Sequence, residues 1–128
     1  MNNLTLLIPA KNEKESLPKV LDELKNYNLK TVIVLEEEDK ETIESVKNYN
    51  CKILYQGGKG YGNALINGIN SIKSELFCIF NADGSFDPSE LKKMIEQLND
   101  QKADFVFATR YEKNCGSDDD TIITFIGN

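Results

Sequence analysis

The sequence contains no histidine in its 128 residues. This absence excludes Ser-His and Cys-His catalysis, and it also removes histidine as a metal ligand. Any general base in this chain is therefore expected to be an aspartate or a glutamate, with lysine as a weaker choice.

Cysteine is also scarce, with Cys51, Cys78 and Cys115 widely separated along the chain. An odd number of distant cysteines fits neither a disulfide framework nor the ligand spacing of a zinc site. Cys51 and Cys78 lie in apolar runs that resemble strands. We expect all three to be reduced thiols.

Dense basic stretches and long apolar runs are missing as well. The net charge is −6, with 15 Lys and Arg against 21 Asp and Glu, so binding to a phosphate backbone is not expected. The apolar runs are too short to cross a membrane, and the first residues do not resemble a signal peptide. The chain has the length of one domain, and the cytoplasm is the default location.

Short apolar runs alternate with segments of helical periodicity along most of the sequence. The runs predict strands at residues 4–9, 31–36, 51–55, 76–80 and 104–109, and the periodic segments predict helices at 14–26, 40–49, 61–73 and 88–99. This alternation predicts an α/β fold with a mostly parallel, doubly wound sheet and helices on both faces. Ala64 and Gly68 share one helical face and would allow close approach to the sheet.

The pattern changes after Arg110, where the sequence is polar, then acidic, then apolar up to Asn128. We therefore expect residues 1–111 to form one α/β domain. Residues 112–128 are expected to begin a further region that is cut short.

Ligands of open α/β sheets bind beyond the carboxyl ends of the strands, so the loops there are candidates for function. In the first loop, "PAKNE" at 9–13, Asn12 suits a helix cap, with Glu15 completing a capping box. In the second, "EEEDKET" at 36–42, Asp39 suits the cap of the next helix. The other carboxylates of this loop form either a solvated edge or a surface that recognises hydrogen-bond donors, such as a base edge.

The third loop, "QGGKGYGNA" at 56–64, has four glycines in six residues. It matches neither the Walker loop nor the dinucleotide fingerprint. Lys59 before a helix N-terminus suits an anion, and a flexible turn is the alternative.

The fourth loop follows the strand at 76–80. Asn81 and Asp83 can share Mg²⁺ with the phosphates of a ligand, although a local turn would use the same residues. Asp87 suits the cap of the next helix, with Pro88 at the first helical position and Glu90 at the third, so we expect its role to be structural. Arg110, after the last predicted strand, suits either a phosphate clamp or a surface ion pair.

Five pieces in order carry a resemblance over about residues 4–111: "IPAKNE", the acidic run, "GKGYGNALINGI", "FNADGSFDPSEL" and "ATRY". Together they resemble family-2 glycosyltransferases with the A-type nucleotide-sugar fold. The similarity is strongest to the branch of polyprenyl-phosphate sugar transferases, such as dolichyl-phosphate mannose or glucose synthases.

The resemblance implies a site for a nucleotide-diphosphate sugar. By this resemblance, the residues that line or approach the nucleotide are Pro9, Ala10, Glu13, Lys59 and Gly60, and Glu36 or Glu37 at the position of a base-reading aspartate. Asn81, Ala82 and Asp83 match the D-x-D motif, at which Mg²⁺ or Mn²⁺ meets the diphosphate. Arg110 matches an arginine that contacts the phosphates or a closing loop.

The sequence departs from the family pattern at several places. Asn81 replaces the first Asp of D-x-D, and Ser85 stands where the polyprenyl-phosphate branch often has Gln. The acidic loop differs from the usual Asp-rich turn, and family members usually continue well beyond this length.

The implied reaction is sugar transfer from a UDP- or GDP-sugar to a lipid phosphate or a cell-surface glycan, with Asp83 and Arg110 as catalytic residues. A hydroxyl acceptor would need a carboxylate base, and the late acidic cluster consists of Asp118, Asp119 and Asp120. A solvated loop is the alternative for these three residues. The branch also implies a peripheral location at the inner face of the membrane. The main alternative is a nucleotide-sugar-binding module without turnover. Receiver domains and nucleotidyltransferases fit less well, because their acidic or glycine-rich loops occur elsewhere.

Overall fold

The computed structural model describes residues 3–102, 104–110 and 120–125. The chain divides into two compact units, residues 1–86 and residues 87–128.

The first unit alternates strands and helices as the sequence predicts. Its elements are β1 (Leu4–Pro9), α1 (Ser16–Leu24) with a 3₁₀ turn (Lys25–Tyr27), β2 (Lys30–Leu35), α2 (Lys40–Val46), β3 (Lys52–Tyr55), α3 (Tyr61–Ser71) and β4 (Leu76–Ile79).

These four strands form one parallel sheet in the order β3-β2-β1-β4. The first two connections move from β1 toward β3, and the third returns across the sheet to β4. Because parallel crossovers are right-handed, α1 and α2 cover one face and α3 covers the other. The predicted α/β fold is confirmed. The order reverses between β1 and β4, which is the switch point where such sheets bind ligands.

The face under α3 is packed closely. Leu7, Val32, Val34 and Ala64 form a buried cluster between this helix and the sheet. Gly68 is one turn beyond Ala64, and a Cβ at Gly68 would stand only 2.4 Å from Leu7 Cδ1. The predicted close approach of Ala64 and Gly68 is therefore confirmed.

The opposite face is also apolar, because successive strand residues point to alternate faces. The buried residues that alternate with the α3 cluster include Leu6, Ile8, Ile33 and Leu35. Helix α1 contributes four buried side chains spaced along one stripe: Leu17, Val20, Leu21 and Leu24. This packing holds the carboxyl ends of all four strands at one edge of the unit.

The second unit contains α4 (Glu90–Asp100), β5 (Phe105–Arg110) and β6 (Asp120–Phe125). The last two strands pair antiparallel in a separate two-stranded sheet, in which Arg110 lies opposite Asp120. Strand β6 was not predicted from the sequence. Asp87 accepts a hydrogen bond from the Ser89 N–H at 2.9 Å, and this bond lowers the pKa of Asp87. Helix α4 begins at Glu90 with Ser89 in the cap position, so the predicted Asp87 cap is wrong by two residues. Asp87 still stabilises the turn that precedes the helix, through its bond to the Ser89 N–H.

Within the described residues, no helix has both the length and the apolar character needed to cross a membrane.

Candidate functional site

A cleft of about 260 Å³ opens at the carboxyl ends of the four parallel strands. This volume lies just below the roughly 300–1,000 Å³ range of small-molecule pockets. The loops after β1, β2, β3 and β4 all contribute to it, together with the first turn of α3. Its lining residues are Pro9, Ala10, Lys11, Glu13, Glu36, Gln56, Gly60, Tyr61, Ala64, Asn81, Ala82 and Asp83.

Most of the predicted site residues lie together in this cleft. The ones that line it are Pro9, Ala10, Glu13, Glu36, Gly60, Asn81, Ala82 and Asp83. Glu37 and Lys59 are exposed and are not among the lining residues of the described part of the chain. Arg110 ends β5, and only its backbone is described. Asp118 and Asp119 lie outside the described residues, and Asp120 begins β6.

The loop after β1 is held by the start of α2. The Asn12 N–H donates to Asp39 Oδ2 at 2.8 Å, and the Glu13 N–H donates to Thr42 Oγ1 at 3.1 Å. Asp39 is also the N-cap of α2 and accepts from the Thr42 N–H at 3.4 Å. The predicted Asp39 cap is therefore confirmed, and the same carboxylate fixes the neighbouring loop.

The predicted Asn12 cap is wrong. Helix α1 begins at Ser16 with Glu15 in the cap position, and no side chain caps it. Asn12 instead has a φ of 55°, a left-handed conformation that asparagine tolerates better than most residues. This turn directs its N–H toward Asp39.

The acidic run after β2 serves several purposes. Glu36 faces the cleft, with only 11% of its side chain exposed, and pairs with Lys11 Nζ at 3.4 Å. Glu37 and Glu38 are exposed. Of the two glutamates matched to the base-reading position, Glu36 is the one that lies in the cleft. Lys11 is 65% exposed, and it places a positive charge beside the largely buried carboxylate of Glu36.

The glycine-rich loop after β3 is organised by Asn63 in the first turn of α3. Asn63 Oδ1 accepts from the Gly58 N–H at 3.0 Å, from Gln56 Nε2 at 3.2 Å and from Asn67 Nδ2 at 3.1 Å. Gln56 Nε2 also donates to the Gly60 carbonyl at 3.0 Å. Gly60 has a φ of 90°, which only glycine adopts without strain. The loop is therefore an ordered wall of the cleft.

The loop after β4 forms a compact polar turn. Asp83 Oδ1 accepts from the Ser85 N–H at 2.9 Å, and Asn81 Nδ2 donates to Ser85 Oγ at 3.1 Å. This is the local turn that the sequence left open as an alternative. Asn81 and Asp83 nevertheless line the cleft. No group of three or more carboxylate, thiol or imidazole side chains suited to a metal occurs among the described residues.

Sequence reasoning missed Lys11, Gln56 and Tyr61 as lining residues. Each lies within three residues of a loop residue that was singled out. Tyr61 is 60% exposed. The sequence indicates only that these residues follow a strand end. It does not indicate which residues of such a loop face the cleft.

Comparison with known proteins agrees with this architecture. A family model described as glycosyl transferase family 2 matches residues 5–126. The chain belongs to this family.

Several curated relatives of the family-2 chain carry glycosyltransferase names. It is 28% identical to an uncharacterised glycosyltransferase of Mycobacterium tuberculosis, over 84% of this chain and 48% of that protein. It is 27% identical to a UDP-N-acetylglucosamine–dolichyl-phosphate N-acetylglucosaminyltransferase of Methanococcus voltae, over 82% of this chain and 51% of that protein. It is 25% identical to a dolichol-phosphate mannosyltransferase of Pyrococcus furiosus, over 86% of this chain and 34% of that protein. The chain thus spans about half the length, or less, of these relatives.

Proposed function

We propose that this chain carries the donor site of a glycosyltransferase, which transfers a sugar from a nucleotide-diphosphate donor to an acceptor. The observation that carries the proposal is the cleft itself. Four strand-end loops meet at the switch point of a family-2 sheet, and they bring together eight of the residues matched to the donor site. The names of relatives that act on dolichyl phosphate support a lipid phosphate as the acceptor class.

The residues after β4 fit a divalent cation only if the ligand completes the coordination. Asn81 and Asp83 offer an amide oxygen and a carboxylate at one wall of the cleft. Mg²⁺ is commonly bound by one or two carboxylates together with substrate phosphates and water. We therefore assign Asn81 and Asp83 as the residues that would hold Mg²⁺ or Mn²⁺. When bound, the ion would neutralise negative charge on the departing diphosphate.

The protein's own contribution is to bind and orient the donor. Ala10 is buried, and its backbone N–H donates to the Val34 carbonyl at 3.0 Å. The floor of the cleft therefore continues the hydrogen bonding of the sheet. Glu13 and Glu36 add hydrogen-bond acceptors to the cleft. The positive charge of Lys59, in the glycine-rich loop, is proposed to oppose charge that develops on the phosphates. Such charges affect turnover more than ground-state binding, because they act on the transition state.

A second candidate is a binding module that holds the nucleotide sugar without turnover. Asn81 favours this alternative, since an amide in place of a carboxylate removes one negative charge from the cation site.

The test is isothermal titration of the 128-residue chain with UDP-glucose and GDP-mannose, with and without Mn²⁺, combined with an assay for release of the nucleotide. Mn²⁺-dependent binding with release supports the transferase, and Mn²⁺-dependent binding without release supports the module. Asp83→Asn should abolish the Mn²⁺ dependence, whereas Glu38→Gln, in an exposed part of the second loop, should not. Absence of binding to either donor would refute both candidates.

A further inference from the structure

Four consecutive residues of the loop after β1 are held by the loop after β2 and the start of α2. Each of residues 11–14 contacts one residue of the segment 36–42. The pairs are Lys11 with Glu36, Asn12 with Asp39, Glu13 with Thr42 and Lys14 with Glu41. The two inner pairs fix the backbone of the loop, because each joins a backbone N–H to a side-chain oxygen.

The Asp39 carboxylate uses one oxygen for each of two tasks. Oδ1 accepts from the Thr42 N–H at 3.4 Å and caps α2, whereas Oδ2 accepts from the Asn12 N–H at 2.8 Å. Asparagine caps a helix about as well as aspartate, but a side-chain amide has only one oxygen and cannot place an acceptor at both positions. The cap alone therefore does not require a carboxylate here, whereas the cap and the bond to Asn12 together do.

The bond to Asn12 also maintains an unfavourable backbone conformation. Asn12 has a φ of 55°, in the left-handed region that is costly for residues with a side chain. The hydrogen bond to Asp39 offsets part of this cost. Without it, residue 12 should return to more favourable conformations, and the chain between Ala10 and Glu13 should change direction.

Thr42 holds the next residue of the same loop. It is fully buried, and its Oγ1 accepts from the Glu13 N–H at 3.1 Å. The Glu13 carboxylate in turn accepts from the Ser16 hydroxyl. Glu13 is thus fixed through both its backbone and its side chain, and it lines the cleft. Asp39 and Thr42 are not among the described residues that line the cleft, so their effect on it is indirect.

We propose that Asp39 and Thr42 are positioning residues for donor binding, which act by holding Glu13 in place at the cleft. The inference rests on the proposed function, because it assumes that the cleft holds a nucleotide-diphosphate sugar. A loop that adopts the binding conformation only part of the time lowers the apparent affinity in proportion to that fraction. Loss of one of these hydrogen bonds should therefore weaken donor binding about 2- to 10-fold.

The test is isothermal titration of the 128-residue chain and its variants in the presence of Mn²⁺, with UDP-glucose or GDP-mannose, whichever binds the wild type more tightly. Asp39→Asn supplies a cap but loses one of the two acceptors, and Thr42→Val keeps the side-chain shape but loses Oγ1. Each should weaken donor binding about 2- to 10-fold. Thr42→Ser loses a methyl group but keeps the acceptor, so its affinity should stay close to that of the wild type.

Two further variants separate positioning from a general loss of stability. Val46→Ala truncates a fully buried side chain at the other end of α2, so it should lower the urea midpoint and leave donor affinity unchanged. In a Glu13→Gln background, Asp39→Asn should weaken binding by less than it does alone, because residues of one hydrogen-bonded network act non-additively.

The possible outcomes are distinguishable from one another. Wild-type affinity in Asp39→Asn or in Thr42→Val would overturn the inference for that residue and leave the proposed function intact. Additive effects of Asp39→Asn and Glu13→Gln would overturn the role assigned to Glu13. An equal loss of affinity in Val46→Ala would show that destabilisation, and not positioning, is the cause. If the wild type binds neither donor, the inference fails together with the proposed function.

Discussion

Replacing Gly68 with alanine tests how closely α3 packs on the sheet, and therefore how the first turn of this helix is positioned at the cleft. A Cβ at this position would lie 2.4 Å from Leu7 Cδ1, 2.9 Å from Cδ2 and 3.1 Å from Cγ. Leu7 is fully buried in the central strand, so it cannot rotate into solvent. Either the helix or the leucine must move.

The expected magnitude follows from two opposing terms. Alanine is favoured over glycine in a helix interior by about 1 kcal/mol, whereas overpacking a dense core costs about 1–3 kcal/mol. Three overlapping atoms of one fully buried side chain indicate the upper part of that range. Gly68→Ala should therefore destabilise the chain by about 1–2 kcal/mol. With a urea dependence of about 2 kcal/mol/M, the middle of the usual range for small proteins, the unfolding midpoint should fall by roughly 0.5–1 M.

Urea unfolding followed by circular dichroism measures this effect. Gly62→Ala is the matched control, because Gly62 lies in the same helix and its Cβ would meet no atom within 4 Å. That variant should be as stable as the wild type or slightly more stable. Combining Gly68→Ala with Leu7→Ala should relieve the overlap, so the double variant should exceed Leu7→Ala alone in stability. A wild-type midpoint for Gly68→Ala would show that the helix does not pack this closely.

Three further predictions concern the loops and the cysteine of β4. Asn81→Asp should increase Mn²⁺ affinity, measured by titration in the presence of a nucleotide diphosphate, because it adds a carboxylate at the proposed cation site. Asp39→Ala should lower the free energy of unfolding by about 1–2 kcal/mol, since it removes a helix cap and the bond to Asn12; Glu38→Ala should change it by less than about 0.5 kcal/mol. Burial raises the pKa of Cys78 from its ordinary value of 9.0 to about 11. Folding therefore favours the neutral thiol. The stability that depends on this neutral thiol is fully present below about pH 9 and is lost as the pH rises toward 11. Between about pH 9 and pH 11, the free energy of unfolding should therefore fall less in Cys78→Ala than in the wild type.

Each of these predictions has a contrary outcome. Unchanged Mn²⁺ affinity in Asn81→Asp would indicate that residue 81 does not contact the cation. Equal stability of the Asp39 and Glu38 variants would show that the loop tether contributes nothing. Identical alkaline unfolding curves for Cys78→Ala and the wild type would contradict the burial of this thiol.

Much of the fold is predictable because each strand of the first unit is a continuous apolar run and each helix has an apolar stripe. The bounds differ from prediction by a few residues at most, as for α2, which ends at Val46 rather than residue 49. Strand β6 was missed, because its pairing with β5 is a contact between segments that local periodicity does not report.

The site was only partly predictable, for a related reason. The rule that ligands meet the carboxyl ends of parallel strands identifies the loops, and it places Glu13, Glu36 and Asp83 in one cleft. It does not determine which member of an acidic run turns inward. The roles of Gln56 and Asn63 depend on which backbone groups face their amides, and this information exists only once the loop has closed on α3.

The double use of Asp39 and Thr42 constrains any attempt to re-engineer this protein's specificity by loop exchange. The segment at 36–42 is the obvious cassette to swap from a homologue, yet its cap aspartate and its fully buried threonine also anchor the backbone of residues 12 and 13. A graft that carries different residues at those two places would release the preceding loop as well. Chimeras should therefore exchange both segments as a pair.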